Sequence, residues 1–378
     1  MKKLLYVFGT RPEAIKMAIP IIKSKNMRED FNVKICITSQ QKEMLQDVLR
    51  VFNIVPDYDL GIMTENQELT DITSGILNGM RNIITETEAD IIIVQGDTTT
   101  TFTTALAAFY QKRKIAHIEA GLRTYDLYAP WPEEANRKLT SNIANYHFCP
   151  TTESKKNLLS EGIKEENIVV TGNTGIDALF YMQSMFDSSH ELEKQILCSL
   201  HNKFNNDILG TKFILITGHR RESFGEGIEN ICYAILELAK SYRHINFIYP
   251  VHLNPNVQTP VHKILAEEKN IHLIMPLNYT EFIYLLGKSY IILTDSGGVQ
   301  EEAASLGIPL LVMREKTERP EGIFAGTAKL TGNKKENIVK EVAALINNKE
   351  LYSLMARAHN PYGDGLATDR ILDYFIKL

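Results

Sequence analysis

Tyr290-Ile291-Ile292-Leu293-Thr294-Asp295-Ser296-Gly297-Gly298-Val299-Gln300-Glu301-Glu302 is the stretch that decides the fold. Its first four residues are apolar throughout, as in a strand buried on both faces. After the glycines the pattern turns helical and stops at Gly307, a residue suited to a helix C-terminus. Two adjacent glycines at the joint let the backbone approach a ligand. The helix start then offers unpaired N–H groups at the positive end of its dipole. Strand, glycine turn and helix in that order outline a nucleotide-diphosphate site, with Glu302 placed to accept hydrogen bonds from ribose hydroxyls. Gly-Gly also makes ordinary strand-to-helix turns, so the stretch specifies a local fold before it specifies a ligand.

The same alternation continues outward from it. Apolar runs of strand length fall at 213–217, 245–249, 271–274 and 309–313. Helical patterns fall at 228–241, 261–269, 279–288, 338–345, 350–356 and 367–376. Toward the N-terminus, strands are expected at 4–8, 33–38, 90–94, 115–118 and 147–149. Helices are expected after Pro12 and at 43–52, 68–86, 105–110 and 133–145. A polar region over 185–206 carries one expected helix at 192–200, and 314–327 reads as a loop. Short strands alternating with helices imply parallel, doubly wound sheets. Two such α/β units stand in tandem, joined around 171–185.

The chain has 378 residues, enough for two domains with their own cores, and is 44% apolar and 23% charged. Its formal charge of −5 argues against general nucleic-acid binding. The four cysteines, Cys36, Cys149, Cys198 and Cys232, form no Cys-x-x-Cys pair. They read as reduced thiols of a cytoplasmic protein, with no zinc site and no other metal expected. The apolar run from Leu4 stops at Gly9, which fits a first strand and is too short for a signal peptide. No apolar run approaches a membrane span.

Ligands of open α/β sheets lie beyond the C-terminal ends of the strands. In the first half those loops carry Arg11, Glu13, Lys16, Asp97, Glu119, Arg123 and Glu133. In the second they carry His219, Arg220, Arg221, Glu222, His252, Ser296, Glu302, Arg314, Glu318, Arg319 and Glu321. The cations suit a diphosphate. Carboxylates do not, so Asp97, Glu119 and Glu133 are expected to move a proton at carbon or to stabilise a cationic sugar ring. Each residue also has an ordinary reading. Asp97 reads as a helix N-cap, Glu119 as the i,i+4 partner of Arg123, and Glu133 as an acidic helix start. His219 and His252 read as loop histidines, and 314–321 as a solvated loop.

Taken together, the chain resembles the bacterial non-hydrolysing UDP-N-acetylglucosamine 2-epimerases. The likeness rests on Gly9-Thr10-Arg11-Pro12-Glu13-Ala14-Ile15-Lys16, Gly96-Asp97-Thr98-Thr99-Thr100 and His117-Ile118-Glu119-Ala120-Gly121-Leu122-Arg123-Thr124. It continues through Pro130-Trp131-Pro132-Glu133-Glu134-Ala135-Asn136-Arg137, Gly218-His219-Arg220-Arg221-Glu222, Val251-His252-Leu253-Asn254-Pro255, the Asp295 run and Thr317-Glu318-Arg319-Pro320-Glu321. The resemblance implies two Rossmann-like domains with parallel sheets facing across a cleft, the GT-B-like arrangement. The domains would be 1–172, joined by a returning helix at 365–378, and 173–364.

It also implies interconversion of UDP-GlcNAc and UDP-ManNAc by anti elimination of UDP to 2-acetamidoglucal and syn re-addition, in service of a cell-surface polysaccharide. The catalytic residues implied are Asp97, Glu119, Glu133 and His219. UDP and sugar contacts would come from Arg11, Lys16, Arg137, His252, Phe282, Ser296, Gly297, Gly298 and Glu302. A homodimer is implied, and the reaction needs no cofactor. Family members often bind a second, activating UDP-GlcNAc, for which Gln40, Gln67 and Arg221 are the counterparts here. Gln41 and Glu68 depart from the usual residues of that second site. The alternatives are a hydrolysing 2-epimerase releasing ManNAc and UDP, or a GT-B glycosyltransferase. Hydrolysing relatives usually carry Ala-Asp where this chain has Pro12-Glu13.

Overall fold

The computed structural model describes residues 1–39, 42–63, 67–204, 208–218, 220 and 223–378. These form two compact units. The first takes in Met1–Tyr181 and Gly363–Leu378, and the second Met182–Tyr362.

The first unit is built on β1 (Lys2–Phe8), β2 (Phe31–Ile37), β3 (Tyr58–Asp59), β4 (Ile91–Gln95), β5 (Lys114–Ile118), β6 (Tyr146–Cys149) and β7 (Ile168–Val170). They run in the order β3-β2-β1-β4-β5-β6-β7, and every pairing is parallel. Strands covered by helices on both faces need apolar side chains in both directions, which is why β4 reads Ile-Ile-Ile-Val-Gln and is buried along its length. The strand order reverses direction between β1 and β4. The loops after these two strands therefore open a crevice at that point.

The second unit repeats the plan with β8 (Phe213–Thr217), β9 (Asn246–Pro250), β10 (Ile271–Ile274), β11 (Ile291–Thr294), β12 (Leu310–Val312) and β13 (Ala328–Leu330). Its order is β10-β9-β8-β11-β12-β13, again all parallel. The reversal here lies between β8 and β11, beside the Asp295–Gly298 turn. Ile214, Ile216, Leu293 and Leu311 of the sheet pack with Ile231, Ile235 and Val342 of the covering helices.

Helix Ala367–Lys377 belongs to the first unit. Phe375 meets Phe148 edge-on at 5.4 Å between ring centres, and Lys23 pairs with Asp369 at 2.6 Å. The buried Asp177 carboxylate accepts hydrogen bonds from the N–H groups of Ala367 (3.2 Å) and Thr368 (2.6 Å), two of the donors that a helix start leaves unpaired.

Several elements were not expected. β3, β7 and β13 have two or three residues each, too few to show a period. Helices Thr152–Ser160, Thr174–Ser188 and Pro320–Ala325 were also unforeseen, the last of them inside the expected loop. Helix Thr174–Ser188 occupies the expected junction, and the change of unit falls within it, between Tyr181 and Met182. Helix Pro255–Leu265 begins six residues before the expected 261, because the Asn254 side chain accepts from Asn256 N–H (2.9 Å) and Pro255 suits the first helical position. Among the described residues no helix is long and apolar enough to cross a membrane, and no group of three His, Cys, Asp or Glu residues could hold a metal ion.

Candidate active site

The loops after β1, β4 and β5 converge on a set of buried and half-buried carboxylates. After β1, Thr10 leads into helix Arg11–Asn26, with Pro12 in the first turn. Glu13, 1% exposed, folds back so that Oε2 accepts from the N–H groups of Gly9 (3.1 Å) and Thr10 (2.8 Å). Its Oε1 accepts from the hydroxyls of Thr98 (2.7 Å) and Thr101 (3.2 Å) after β4. Glu13 thus ties together the two loops at the reversal point. Burial pushes its pKa up, and the hydrogen bonds pull it partly back.

Asp97 follows β4. It is not the cap of helix Thr99–Tyr110. That position belongs to Thr98, whose hydroxyl accepts from Thr101 N–H at 3.2 Å. Asp97 Oδ2 instead takes both Nε and Nη2 of Arg137, each at 2.8 Å, while Asn136 Nδ2 donates to the Asp97 carbonyl at 2.9 Å. The Asp97 side chain stays 26% exposed, and its Oδ1 has no partner among the described residues. Burial raises its pKa, Arg137 opposes that rise, and the nearby Glu119 charge adds to it.

Glu119, at the end of β5, has φ +63°, a left-handed conformation uncommon for a residue with a Cβ. Lys16 pairs with its Oε1, and the Gln95 amide donates to its Oε2. Its Oε2 lies 3.6 Å from where a Cβ on Gly96 would stand, against the turn that carries Asp97. Glu119 does not pair with Arg123. The Arg123 guanidinium is buried and bonds Glu161 through Nε (2.8 Å) and Nη2 (2.7 Å), and Ser141 Oγ at 3.0 Å.

Below the turn, His117 Nε2 is 2.7 Å from the Gly96 carbonyl. His117 faces His147 across β5 and β6, and burial holds the two imidazoles down to about 4 and about 3.

Helix Glu133–Ile143 supplies the remaining wall. Glu133 opens it, half-buried, with no hydrogen bond or ion pair among the described residues. Glu134 is fully buried. Its Oε1 accepts from Tyr125 N–H, and its Oε2 accepts from Thr124 N–H and Arg137 Nη1, each at 3.1 Å. Arg137 was expected to touch substrate. In the structure its guanidinium is shared between Asp97 and Glu134.

On the second unit, Ser296 is the N-cap residue of helix Gly297–Leu306, which closes on Gly307 in the left-handed region (φ +65°). Among the described residues, a Cβ at Gly297 or Gly298 would meet nothing within 4 Å, so their packing does not require glycine there. The turn is braced from below. Thr294 Oγ1 accepts from Ser296 N–H at 3.0 Å and lies 2.6 Å from Thr217 Oγ1, while Asp295 Oδ2 accepts from Arg220 N–H at 2.8 Å.

Glu302 is half-buried in the second turn. The 314–321 segment is not a free loop. Thr317 donates to Gln300 Oε1 at 2.7 Å, and Arg319 pairs with Glu301. Phe282 is half-buried on helix Tyr279–Lys288, and His252 Nδ1 accepts from Asn254 N–H at 3.1 Å, the turn role that its sequence context suggested. Arg11 is half-buried in the first turn of its helix, and Gln67 Nε2 donates to the Ile62 carbonyl at 2.6 Å. Gln40, His219 and Arg221 lie outside the described residues.

Gln95, Glu134 and Asn136 were missed as parts of this centre, and Glu13, though expected at a strand end, was given no role. Only Glu13 had a sequence signal, the Thr10-x-x-Glu13 spacing of a capping box. The partners of the others are set by how helices approach the sheet.

Comparison with known proteins agrees with this assembly. A family model described as UDP-N-acetylglucosamine 2-epimerase matches residues 23–376. The chain is 54% identical over 378 residues to a UDP-N-acetylglucosamine 2-epimerase of Campylobacter jejuni, covering 100% of this chain and 98% of that one. It is 52% identical over 371 residues to the enzyme of that name from Escherichia coli K12, covering 98% and 97%. Among solved structures, the UDP-GlcNAc 2-epimerase of Neisseria meningitidis bound to UDP-GlcNAc superposes with a TM-score of 0.92 at 50% identity over 100% of both chains. Two parallel Rossmann-like sheets, acids gathered at the strand ends of the first and full-length identity near one half lead to one conclusion: the chain belongs to the UDP-N-acetylglucosamine 2-epimerase family.

Proposed function

We propose that this chain interconverts UDP-GlcNAc and UDP-ManNAc without net hydrolysis. One observation carries the reading: Asp97 and Glu119 end neighbouring strands, each is backed by a cation, and Asp97 stays partly exposed with its Oδ1 unbonded among the described residues. That is an arrangement for proton transfer at carbon.

On the first unit, one carboxylate removes the C2 proton as the C1–O bond breaks, and UDP leaves with the bonding electrons. The C2–H is a weak acid until C1 becomes electron-poor, so both events share one transition state. 2-Acetamidoglucal results. A proton then returns to the other face of C2, and the UDP oxygen re-forms the bond to C1. Asp97, Glu119 and Glu133 share these steps. On the second unit, Ser296, Gly297 and Gly298 hold the diphosphate on the helix N-terminus, and Glu302 takes the ribose. His219 assists the departing diphosphate.

The same proposal includes a cytoplasmic homodimer. The nucleotide-sugar substrate and the free cysteines, three of the four buried, support the compartment. It also includes activation by a second UDP-GlcNAc at Gln40, Gln67 and Arg221. A rate hyperbolic in UDP-GlcNAc, together with UDP-ManNAc turnover that needs no added UDP-GlcNAc, would remove the second site.

The central test is incubation with UDP-GlcNAc in deuterated water. Deuterium appears at C2 of both epimers, and Asp97→Asn abolishes both exchange and epimerisation. Product free of solvent deuterium overturns elimination. Free UDP accumulating in step with ManNAc makes the enzyme a hydrolase.

A further inference from the structure

Arg137 and Glu134 sit behind Asp97 in a chain of contacts that the reaction scheme does not use. Arg137 places two nitrogens on Asp97 Oδ2 and none on Oδ1. This fork fixes the carboxylate rotation and leaves Oδ1 unbonded among the described residues. The third nitrogen, Nη1, goes to Glu134 Oε2 at 3.1 Å. Glu134 also accepts the N–H groups of Thr124 and Tyr125, on the loop that leaves Glu119. Asn136, from the same helix turn, holds the Asp97 carbonyl. One turn of one helix therefore grips the backbone and side chain of Asp97 and the loop beyond Glu119.

We propose that Arg137 and Glu134 are positioning residues for Asp97: the guanidinium orients Oδ1 and favours the ionised carboxylate, and Glu134 limits how strongly it does so. The inference rests on the reading of Asp97 as a proton-transfer group.

The charged groups facing Asp97 are Arg137 from helix Glu133–Ile143, Glu119 from the loop after β5 and Lys16 from helix Arg11–Asn26. Facing Arg137 are Asp97, Glu134 and the buried His117. Removing the cation withdraws an interaction that favours the charged base, so the base protonates at higher pH. Removing the Glu134 charge leaves the guanidinium to act on Asp97 undivided, so the base protonates at lower pH. The two changes pull in opposite directions, which a purely architectural role does not produce.

The test is the pH profile of kcat/KM for Arg137→Met, Arg137→Lys and Glu134→Gln, with folding checked by circular dichroism and by calorimetric binding of UDP. Arg137→Met moves the acidic limb up by roughly one pH unit. It also lowers the plateau about a hundredfold, the scale of a misplaced catalytic group. Arg137→Lys keeps the charge but not the fork, so the limb stays and the plateau falls. Glu134→Gln moves the limb down. Limbs that stay put in Arg137→Met and Glu134→Gln, or that move the same way, overturn the proposal. If Arg137→Met does not fold, the downward shift of Glu134→Gln and the fixed limb of Arg137→Lys decide it. Asp97→Asn separates the two levels: retained C2 exchange in that variant sinks the reading of Asp97, whereas a dead Asp97→Asn with unmoved limbs sinks only the inference.

Discussion

Glu13 offers the most quantitative test of how the first unit is held. In Glu13→Ala four donors lose their acceptor: Gly9 N–H, Thr10 N–H and the hydroxyls of Thr98 and Thr101. The hydroxyls can recover. Thr101 Oγ1 already lies 2.6 Å from the Gln95 carbonyl, and Thr98 Oγ1 lies 3.2 Å from Thr101 Oγ1. The two backbone N–H groups have no such recourse, and an unsatisfied buried donor costs about 1–3 kcal/mol. Against that stands the relief of removing a carboxylate whose pKa burial has raised. The balance is a loss of roughly 3 kcal/mol. In Glu13→Gln the amide oxygen can still take both N–H groups while the threonine hydroxyls turn to accept, which limits the loss to about 1 kcal/mol. Urea unfolding followed by tryptophan fluorescence and circular dichroism measures both. A Glu13→Ala loss below about 1 kcal/mol, or equal losses in the two variants, would falsify the accounting of donors.

Three further outcomes follow from the same geometry. Gly121→Ala places a methyl group 2.3 Å from the Ser154 carbonyl oxygen at φ +93°, so it should cost about 3 kcal/mol in urea unfolding and lower turnover by displacing the loop that bears Glu119. The His117 imidazole is lowered from 6.5 to about 4, so the unfolded chain binds its proton first. Its contribution is complete above pH 6.5 and is lost as the pH falls to about 4, roughly 3 kcal/mol in all. His117→Leu should therefore lose less stability than the parent between those limits, and an unchanged slope would refute the assignment. Asp177→Ala strips the acceptor from Ala367 and Thr368, so it should destabilise the first unit by about 2 kcal/mol and speed proteolytic release of residues 363–378.

The sequence made the sheets easy to read because a parallel strand buried on both faces is a continuous apolar run. Ile91 to Val94 and Ile291 to Leu293 could hardly be anything else. It hid β3, β7 and β13 because two or three residues carry no period. It hid helix Thr174–Ser188 because its faces do not separate cleanly into apolar and polar: Phe180, Met182 and Met185 alternate with Tyr181, Gln183 and Ser184. The candidate acids were visible from their places at strand ends, and the motif match gathered them. Their partners were not visible. Nothing in the spacing says that Arg123 reaches Glu161 rather than Glu119, or that Arg137 turns to Asp97. Both choices depend on the angle at which a helix crosses the sheet, a property of tertiary packing.

The return of residues 363–378 to the first unit separates the order of synthesis from the order of assembly. Residues 182–362 form a body of their own, inserted within the first unit, and can close as soon as they leave the ribosome. The older half must wait. At about 5–20 residues per second, the pocket that Phe375 fills against Phe148 stays uncovered for on the order of ten seconds or more. A polypeptide released early would carry a finished nucleotide fold beside an unfinished one. The helix that completes the acid-bearing unit is thus made only after the inserted body.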